Sequence, residues 1–474
     1  MAEHRHFPRR LLLLLLLPFL FLSAIASTSS IIKTLPGYSG ELPFYLETGY
    51  VGVGENEEVQ LFYMFVKSQR NPVLDPLVMW LTGGPGCSTF SAFFYGNGPL
   101  SFDYKNYTGG LPSLLLNEYT WTSGLNIIYV DVPVGAGFSY SRTQEGYYSD
   151  DYKSSTDTYE FLNKWLLDHP EFLKNNLYVG GDSYSGIVLP MITEKIYYGN
   201  GIGTFLQMNL QGYILGNPVT DSYIDGNAQI KIAHRLTLIP DNLYESAKAS
   251  CNGDFVTVNA SNEECVADME AISELISPIY TMQVLEPNCG ISSQKPNERR
   301  SQQRSLIENS KHFPSGLGKK AAYPCHEYMY VFSEIWSNDE SVREALHVRE
   351  GTKGHWVRCN VSSLAYTKDV KSSIPYQRNL TQTGLRALIY SGDHDMSIPH
   401  VGTQEWINSL NLTLADTWRA WYTDAQVSGY TQRFTKDDFS LTFATVKGAG
   451  HVAIEYKAKE CYAMIKRWFG YYPL

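Results

Sequence analysis

The stretch Leu177–Tyr198, LYVGGDSYSGIVLPMITEKIYY, places a serine between an apolar run and a helical pattern. Leu177–Val179 predicts a buried strand and Ile187–Tyr198 predicts a helix. A sharp turn between two such elements pushes a serine hydroxyl out at the sheet edge, an arrangement called a nucleophile elbow. The usual pattern G-x-S-x-G is incomplete, because position 185 is Ser and the glycine stands at 186. The alternative is a glycine-bearing turn with an incidental Ser183.

Further apolar, β-branched or aromatic runs recur along the chain, and most of them end at Gly, Pro or Asp. They are Gln60–Val66, Leu77–Leu81, Asn126–Val132, Tyr213–Leu215, Ala387–Tyr390 and Leu441–Val446. Several are apolar throughout, which is typical of strands buried on both faces. A helical pattern at Ser154–His169 lies among them and ends at Pro170. Strands that alternate with helices predict an α/β fold with a mostly parallel sheet, covered by helices on both faces.

The N-terminal segment Met1–Ala26 has the features of a secretory signal peptide. Three arginines precede an apolar run from Leu11 to Leu22, and mostly small residues follow it. The run is short for a membrane span, although a signal anchor is the alternative. We therefore expect a secreted or vacuolar protein with no membrane attachment after signal removal. Five sequons are consistent with glycosylation at Asn106, Asn259, Asn360, Asn379 and Asn411.

Composition and charge exclude several classes of protein. The chain has 474 residues, of which 43% are hydrophobic and 18% are charged, so it is neither wholly disordered nor a collagen or coiled coil. A net charge of −10 argues against nucleic-acid binding, which needs a basic face. None of the seven cysteines forms a C-x-x-C pair, and we predict no metal and no cofactor. In an oxidising compartment six cysteines can pair and one is left over.

The segment 221–348 differs from its surroundings. Strand-like runs disappear there, helical periods dominate, and four of the seven cysteines fall within it. We therefore expect a mainly helical insertion between two parts of the α/β core, residues 27–220 and 349–474. Inside the insertion, Ser292–Lys311 is polar, charged and carries three arginines, which predicts a flexible loop that proteases could excise.

An elbow serine needs a base and an acid, and these should follow later strands in the order acid, then histidine. Asp393 follows the run that ends at Tyr390, and His451 follows the run that ends at Val446. Both therefore fall at carboxyl ends of strands, where open α/β sheets place their sites. His394, Asp395 and His400 compete, because they lie in the same loop as Asp393. The junction of strand, glycine and histidine makes His451 the better base.

An oxyanion hole needs two backbone N–H donors near the serine. The N–H of Tyr184, the residue after the nucleophile, is one candidate. The second should come from an early glycine-rich loop after a strand, and Leu81–Cys87, LTGGPGC, is such a loop. Gly83 and Gly84 let backbone approach a reacting oxygen without a side chain in the way.

The ordered motifs of the chain resemble the serine carboxypeptidase family of α/β-hydrolases. The matching stretches are Leu35–Val51, Trp80–Ser88, Val130–Tyr140, Gly180–Gly186, Gly216–Asp221, Ser391–Asp395 and Gly448–Cys461. The resemblance as a whole extends over nearly all of the chain after residue 26, and these stretches are part of it. The resemblance implies an α/β-hydrolase fold, a triad of Ser183, Asp393 and His451, and oxyanion donors on Gly84 and Tyr184.

The same resemblance implies three disulfides, Cys87–Cys359, Cys251–Cys265 and Cys289–Cys325, which leave Cys461 free. Cleavage within Ser292–Lys311 would then give a two-chain form of the protein, joined by Cys87–Cys359 and Cys289–Cys325.

Two departures from the family pattern concern the substrate. Carboxypeptidases of the family hold the peptide's C-terminal carboxylate with an Asn in WLNGGPG and the Glu of GESYAG. Here those positions are Thr82 and Asp182, which with Gly83 are the implied substrate-binding residues. Thr has no carboxamide N–H, and Asp is one methylene shorter than Glu. Losing one recognition hydrogen bond costs about 1–3 kcal/mol.

The sequence around Thr82 and Asp182 is similar instead to the plant acyltransferase branch of the family. This resemblance implies transfer of an acyl group, often aromatic, from a 1-O-β-glucose ester to an acceptor alcohol. The glucose ester and the alcohol are then the expected small-molecule partners. A serine carboxypeptidase with tolerated substitutions is the alternative, and a catalytically inactive binding protein is a second one.

Overall fold

The structure is a computed structural model that describes residues 28–202, 206–289 and 326–474. The predicted signal peptide Met1–Ala26 and the polar segment Ser292–Lys311 lie outside these residues. Among the helices that are described, none has both the length and the apolar character that a membrane span requires.

Sixteen strands are described. They are β1 (Thr28–Ile32), β2 (Leu46–Val53), β3 (Val59–Val66), β4 (Leu77–Leu81), β5 (Leu100–Phe102), β6 (Leu114–Leu116), β7 (Asn126–Val130), β8 (Tyr140–Ser141), β9 (Ser149–Asp150), β10 (Leu177–Asp182), β11 (Leu210–Gly216), β12 (Tyr366–Thr367), β13 (Arg386–Gly392), β14 (Thr413–Thr423), β15 (Gln426–Lys436) and β16 (Phe439–Val446). Twelve of them form one sheet in the order β1-β2-β3-β7-β4-β10-β11-β13-β16-β15-β14, with β8 paired to β3.

The centre of this sheet is parallel and its two edges are antiparallel. Strands β7, β4, β10, β11, β13 and β16 pair in parallel. Strands β1–β3 and the hairpin β14–β15 extend the edges in antiparallel pairing. The expected α/β-hydrolase fold is confirmed, with a sheet that is mixed. The sequence did not predict the β14–β15 hairpin, because most of its side chains are exposed or half-buried and it has no long apolar run.

The strand β4 shows why the central runs are apolar throughout. Val78 and Trp80 point into a hydrophobic cluster on one face of the sheet, and the residues between and beside them point into a cluster on the other face. Successive side chains of a strand alternate between the faces, so a strand covered on both faces has no polar positions.

Twelve α-helices are described. They are α1 (Phe90–Tyr95), α2 (Asp151–Asp168), α3 (Ser185–Ile202), α4 (Ser222–Arg235), α5 (Asp241–Ser250), α6 (Glu263–Ile276), α7 (Tyr330–Ser337), α8 (Glu340–Ala345), α9 (Ile374–Leu380), α10 (His400–Ser409), α11 (Ala453–Tyr456) and α12 (Ala458–Phe469). Helix α2 begins three residues before the predicted start, because the Asp150 side chain caps it by accepting the N–H of Lys153 at 2.7 Å. Helices α2 and α3 contribute to one face cluster, and α1 and α12 contribute to the other.

Between Asp221 and Val348 the described residues form the helices α4 to α8 and no strand. Part of this segment forms a small hydrophobic cluster that Met396 and Val401, from the chain beyond the segment, also join. A short stretch after α6 contacts the loops that follow β13 and β16. The carbonyl of Thr281 accepts the N–H of Met396 at 2.9 Å, and the carbonyl of Met282 accepts the N–H of His451 at 2.7 Å. The segment therefore packs on the carboxyl edge of the sheet and forms hydrogen bonds with its loops.

Two of the three expected disulfides are present, Cys87–Cys359 and Cys251–Cys265. Cys461 lies on α12 and is a buried free thiol. Cys289 is disulfide-bonded, and its expected partner Cys325 lies outside the described residues. The Cys87–Cys359 bond joins the glycine-rich loop after β4 to the chain beyond the segment 221–348.

We predict a disulfide-linked two-chain form in the native tissue. A cut within 292–311 separates Cys87 from Cys359 along the chain, but their disulfide keeps the fragments together. Protein purified from that tissue should migrate as one band on a non-reducing gel and as two on a reducing gel. A single full-length band under both conditions would refute the prediction.

Candidate active site

Ser183 lies at the turn between β10 and α3 and has a left-handed backbone with φ of 54°. A non-glycine residue rarely adopts this conformation unless its surroundings hold it there. The N–H of Ser183 donates to the carbonyl of Gly216 at 2.9 Å. The carbonyl of Ser183 accepts the N–H groups of Gly186 and Val219 at 3.0 and 2.9 Å. The turn has the geometry of a nucleophile elbow.

The incomplete motif is explained by close packing around the elbow. A Cβ atom at Gly186 would lie 2.4 Å from the carbonyl oxygen of Val219, so the residue must be glycine. A Cβ atom at Gly181 would lie 2.7 Å from both the carbonyl oxygen of Leu81 and the Cβ of Ser185. Because position 181 carries no side chain, serine fits at 185, where the usual motif has glycine.

His451 connects the serine to an aspartate. Its Nε2 atom lies 2.7 Å from Oγ of Ser183, and its Nδ1 atom lies 2.8 Å from Oδ2 of Asp395. The imidazole is buried and Asp395 is fully buried. A serine, an imidazole and a carboxylate in this order form the hydrogen-bonded chain of a serine-hydrolase triad.

The expectation that Asp393 is the acid of this triad is wrong. Asp393 Oδ1 accepts the N–H of Gly448 at 2.7 Å and lies 2.6 Å from Nδ1 of His394. The side chain is therefore engaged by its neighbours, and Asp395 takes the place beside His451. The two aspartates are two residues apart in one loop, and nothing in their spacing in the sequence distinguishes them.

Four donors surround the buried carboxylate of Asp395. Its Oδ2 accepts from Nδ2 of Asn217 at 2.8 Å as well as from His451. Its Oδ1 accepts the N–H groups of Ser397 and Ile398 at 2.8 and 3.0 Å. These bonds satisfy both carboxylate oxygens and fix the carboxylate toward the imidazole. Sequence reasoning missed Asn217, which stood within the matched stretch Gly216–Asp221 without any sign of this contact.

The glycine-rich loop after β4 lies against the elbow, as expected. A Cβ atom at Gly83 would come within 2.5 Å of Cβ of Ser183 and 2.7 Å of the amide nitrogen of Tyr184. Gly84 has φ of 118° in a tight turn before Cys87. Within the described residues, the N–H groups of Gly84 and Tyr184 donate to no acceptor. Both are therefore available for a reacting oxygen.

Asp182, next to the nucleophile, is a buried carboxyl group with an altered acidity. Its Oδ1 accepts the N–H of Gly83 at 3.1 Å. Burial, with a contribution from the charge of Glu455, raises the pKa of Asp182 to about 6 against the lowering effect of the Gly83 hydrogen bond. This carboxyl group therefore titrates close to the pH of an acidic compartment.

The pKa of His451 is raised above its ordinary value. Burial disfavours the imidazolium and lowers the pKa, but the charge and hydrogen bond of Asp395 outweigh burial, and the charge of Asp182 adds to them. The imidazole therefore accepts a proton more readily than a free histidine does, which suits a general base.

Thr82 has its hydroxyl buried without a hydrogen bond to any described residue. It lines a cavity of about 10 Å³ together with Tyr184 and Tyr366. The hydroxyl of Ser185, on the same cavity, is likewise buried and unsatisfied. Both hydroxyls border a small cavity beside the glycine-rich loop, and the lining of this cavity is mostly apolar. The role of Thr82 in substrate binding stays a prediction.

Glu455 is a second buried acid near the site that sequence reasoning did not single out. Its Oε2 accepts the hydroxyl of Tyr330 at 2.5 Å and lies 3.1 Å from Nε2 of His326. The guanidinium of Arg358 lies 3.6 Å from the centre of the Tyr330 ring. Glu455 was part of the matched stretch Gly448–Cys461, but its electrostatic effect on Asp182 arises only in the fold.

Comparisons with known proteins agree on one family. The model of the serine carboxypeptidase family matches residues 36–471. Serine carboxypeptidase-like 17 of Arabidopsis thaliana is 45% identical over 96% of each chain. Serine carboxypeptidase-like 16 of the same plant is 46% identical, covering 96% of this chain and 97% of its own. The chain belongs to the serine carboxypeptidase family.

A solved structure supports the fold. The yeast protein Kex1(delta)p, a prohormone-processing carboxypeptidase from Saccharomyces cerevisiae, superposes with a TM-score of 0.72. The match covers 93% of this chain and 95% of the yeast chain at 18% sequence identity. At this identity the likeness concerns the α/β-hydrolase fold alone.

Replacing the two neighbouring aspartates separately should identify the acid of the triad. Asp395→Asn should lower kcat for the reaction of Ser183 by roughly 10³–10⁴-fold, because the imidazole loses its orienting charge. Asp393→Asn should stay within about tenfold of the wild type, because an amide oxygen still accepts the N–H of Gly448. The measurement is kcat for both variants with any ester that the wild type turns over. Equal losses, or a larger loss in Asp393→Asn, would contradict the assignment.

Proposed function

We propose that this member of the serine carboxypeptidase family is an acyltransferase. It moves an acyl group of aromatic type from a 1-O-β-glucose ester to an acceptor hydroxyl. The observation that carries the proposal is the pair Thr82 and Asp182, which stand where the family's carboxypeptidases have Asn and Glu. Thr82 supports it because threonine lacks the amide donor that would bind a peptide carboxylate.

The first half of the reaction transfers the acyl group to the enzyme. His451 removes the proton of Ser183, and Oγ attacks the carbonyl carbon of the glucose ester. The N–H groups of Gly84 and Tyr184 stabilise the oxyanion, and Asp395 stabilises the imidazolium. The tetrahedral intermediate then collapses, the bond to the glucose oxygen breaks, and glucose leaves with the proton from His451.

The second half returns the acyl group to an alcohol. His451 removes the proton of the acceptor hydroxyl, whose oxygen attacks the acyl carbon on Ser183. The same two N–H groups stabilise the second oxyanion. Collapse breaks the bond to Oγ, and the imidazolium returns its proton to Ser183. The product is an ester of the acceptor, and the enzyme is regenerated.

The acids near the site can also bind a sugar. Asp182 and Glu455 lie close enough to interact electrostatically, and the charge of Arg358 opposes the effect of Glu455 at Asp182. Carboxyl oxygens accept hydrogen bonds from sugar hydroxyls. A donor that carries many hydroxyls therefore suits these groups.

We also infer that the protein works in the secretory pathway, as a secreted or vacuolar enzyme, because of the signal-like residues 1–26. Four of the five sequon asparagines are exposed and accessible to glycosylation: Asn106, Asn259, Asn379 and Asn411. Asn360 is half-buried, and its Nδ2 donates to the carbonyl of Gly135 at 3.3 Å. We expect Asn360 to be the least modified of the five.

One assay separates the transferase from the carboxypeptidase. Purified protein receives a hydroxycinnamoyl or benzoyl glucose ester with an alcohol, and in a separate reaction a blocked dipeptide. We expect a new ester and free glucose in the first reaction and little amino acid in the second. Ser183→Ala should lose several orders of magnitude in rate while its thermal unfolding is unchanged. Efficient dipeptide hydrolysis without acyl transfer would establish the carboxypeptidase instead.

Restoring the carboxypeptidase residues should change the balance of activities. The double variant Thr82→Asn with Asp182→Glu regains an amide donor and a longer carboxyl group. Its ratio of dipeptide hydrolysis to acyl transfer should rise about tenfold or more, the gain expected from one recovered recognition bond. The two changes should be non-additive, because both groups would contact one carboxylate.

The control for this experiment is each single variant, measured for both reactions and for thermal unfolding. A ratio that stays unchanged in the double variant, with normal stability, would show that other residues discriminate between the substrates. The segment 221–348 would then be the place to look, and Thr82 and Asp182 would lose their proposed role.

The pH dependence of transfer should respond to the charge of Asp182. Only neutral His451 accepts a proton, so kcat/KM rises as the pH rises through the pKa of His451. Ionised Asp182 raises the pKa of His451, so Asp182→Asn should lower the pKa of His451. The acidic side of the plot of kcat/KM against pH should then shift by several tenths of a pH unit toward lower pH. The matched control is Asp437→Asn, an exposed aspartate whose φ of 50° asparagine also accepts. An unchanged acidic side of the plot in Asp182→Asn would refute this coupling.

A further inference from the structure

A second cleft opens at the carboxyl edge of the sheet, beyond the triad. Its volume is about 280 Å³, close to the lower end of the range for small-molecule sites. The end of α4 and the start of α10 form one side, and the β14–β15 hairpin forms the other. Asp393 and His394, which follow β13, lie at its base.

This cleft is distinct from the site around Ser183. The residues at its base are paired with each other, and Asp393 also accepts the N–H of Gly448. Among the described residues, none that lines the cleft donates a hydrogen bond to Ser183 or His451 through its side chain. None of the residues that line the cleft takes part in the steps proposed for acyl transfer.

One wall of the cleft is aromatic. Trp418 on β14 and Tyr430 on β15 stack with ring centres 5.6 Å apart and planes 4° from parallel. Trp418 is 41% exposed and Tyr430 is 43% exposed, so each offers ring surface to a ligand. Trp418 also stacks on Phe443 of β16, which holds the indole in place. A fixed, exposed pair of rings favours a flat ligand.

The opposite wall supplies a cation and a neutral imidazole. Arg235 ends α4, is exposed, and forms no ion pair or hydrogen bond with a described residue. Nδ1 of His400, at the start of α10, is buried without a hydrogen-bond partner. Burial lowers the pKa of His400 to about 4, so the imidazole is neutral above that pH. Leu236 adds an apolar surface beside Arg235.

We propose that this cleft binds a planar aromatic carboxylate, with the ring against Trp418 and the carboxylate on the guanidinium of Arg235. Arginine binds carboxylates through two parallel N–H donors, which gives both strength and direction. A sugar suits the cleft less well, because its one carboxylate, Asp393, is already engaged by Gly448 and His394. The proposal does not depend on the reaction at Ser183.

The test uses benzoate as the probe and the full mature chain as the protein. Binding is followed by ligand-observed NMR titration of wild type and of Ser183→Ala, so that turnover plays no part. We expect saturable binding of benzoate to both proteins. Benzamide, which lacks the charge, and cyclohexanecarboxylate, which lacks the flat ring, should each bind several times more weakly.

Four variants locate the site. Arg235→Gln and Trp418→Ala should each weaken benzoate binding about tenfold, through loss of the ion pair and of the stacking surface. Arg378→Gln is the matched control for the first, since Arg378 is an exposed arginine in the last turn of α9. Tyr422→Ala is the control for the second, since Tyr422 is 49% exposed on the same strand as Trp418. Both controls should bind like wild type.

Three results would overturn the proposal. Absence of saturable binding would show that the cleft takes no such ligand. Equal binding of benzoate and cyclohexanecarboxylate would remove the role of the aromatic wall. Benzoate binding that survives in Arg235→Gln and Trp418→Ala, with normal thermal unfolding, would place the ligand elsewhere, including at Ser183. If the protein fails to transfer acyl groups, these binding measurements can still be interpreted, because none of them depends on turnover.

Discussion

The site depends on one turn, Gly216–Val219, at the carboxyl end of β11. Its backbone accepts from and donates to Ser183 and so holds the left-handed conformation of the elbow. In the same turn, Asn217 donates its N–H to the carbonyl of Tyr390 and its side-chain amide to Asp395. The turn therefore fixes the nucleophile on one neighbouring strand and the acid on the other. Because parallel strands end at the same sheet edge, a single turn between them can set the distance across the triad.

The second constraint is electrostatic. Asp395 is fully buried and accepts four hydrogen bonds, and its charge and hydrogen bond outweigh the effect of burial on the pKa of His451. Asp182 is also buried but accepts one hydrogen bond, and burial together with the charge of Glu455 raises its pKa to about 6. The two acids therefore act on one imidazole in different ways. Asp395 holds the imidazole through a hydrogen bond, and Asp182 acts on it through its charge.

The sequence predicted those features that depend on local pattern. The central strands were predictable because burial on both faces leaves uninterrupted apolar runs, and the elbow was predictable because a glycine-rich turn joins such a run to a helix. The β14–β15 hairpin could not be predicted from the sequence, because exposed strands have no uninterrupted apolar run. The sequence also could not distinguish Asp393 from Asp395, because backbone contacts with Gly448 and Ser397 decide where each side chain points. Asn217 acts across 178 residues of sequence, and no spacing rule reveals such a contact.

The position of Asp182 connects substrate choice with the oxyanion loop. Its carboxyl group accepts the N–H of Gly83, and Gly83 packs directly on Ser183 and Tyr184. The side chain at 182 therefore contacts the same glycine that packs on the elbow. A glutamate in the same place would either push the loop away or release Gly83 and turn its carboxyl group toward the substrate. Asp182, the proposed recognition residue, thus also holds the neighbour of Gly84, the proposed oxyanion donor. Any change at position 182 that alters recognition must therefore keep the contact with Gly83 if the loop is to stay in place, so one side chain ties the two roles together.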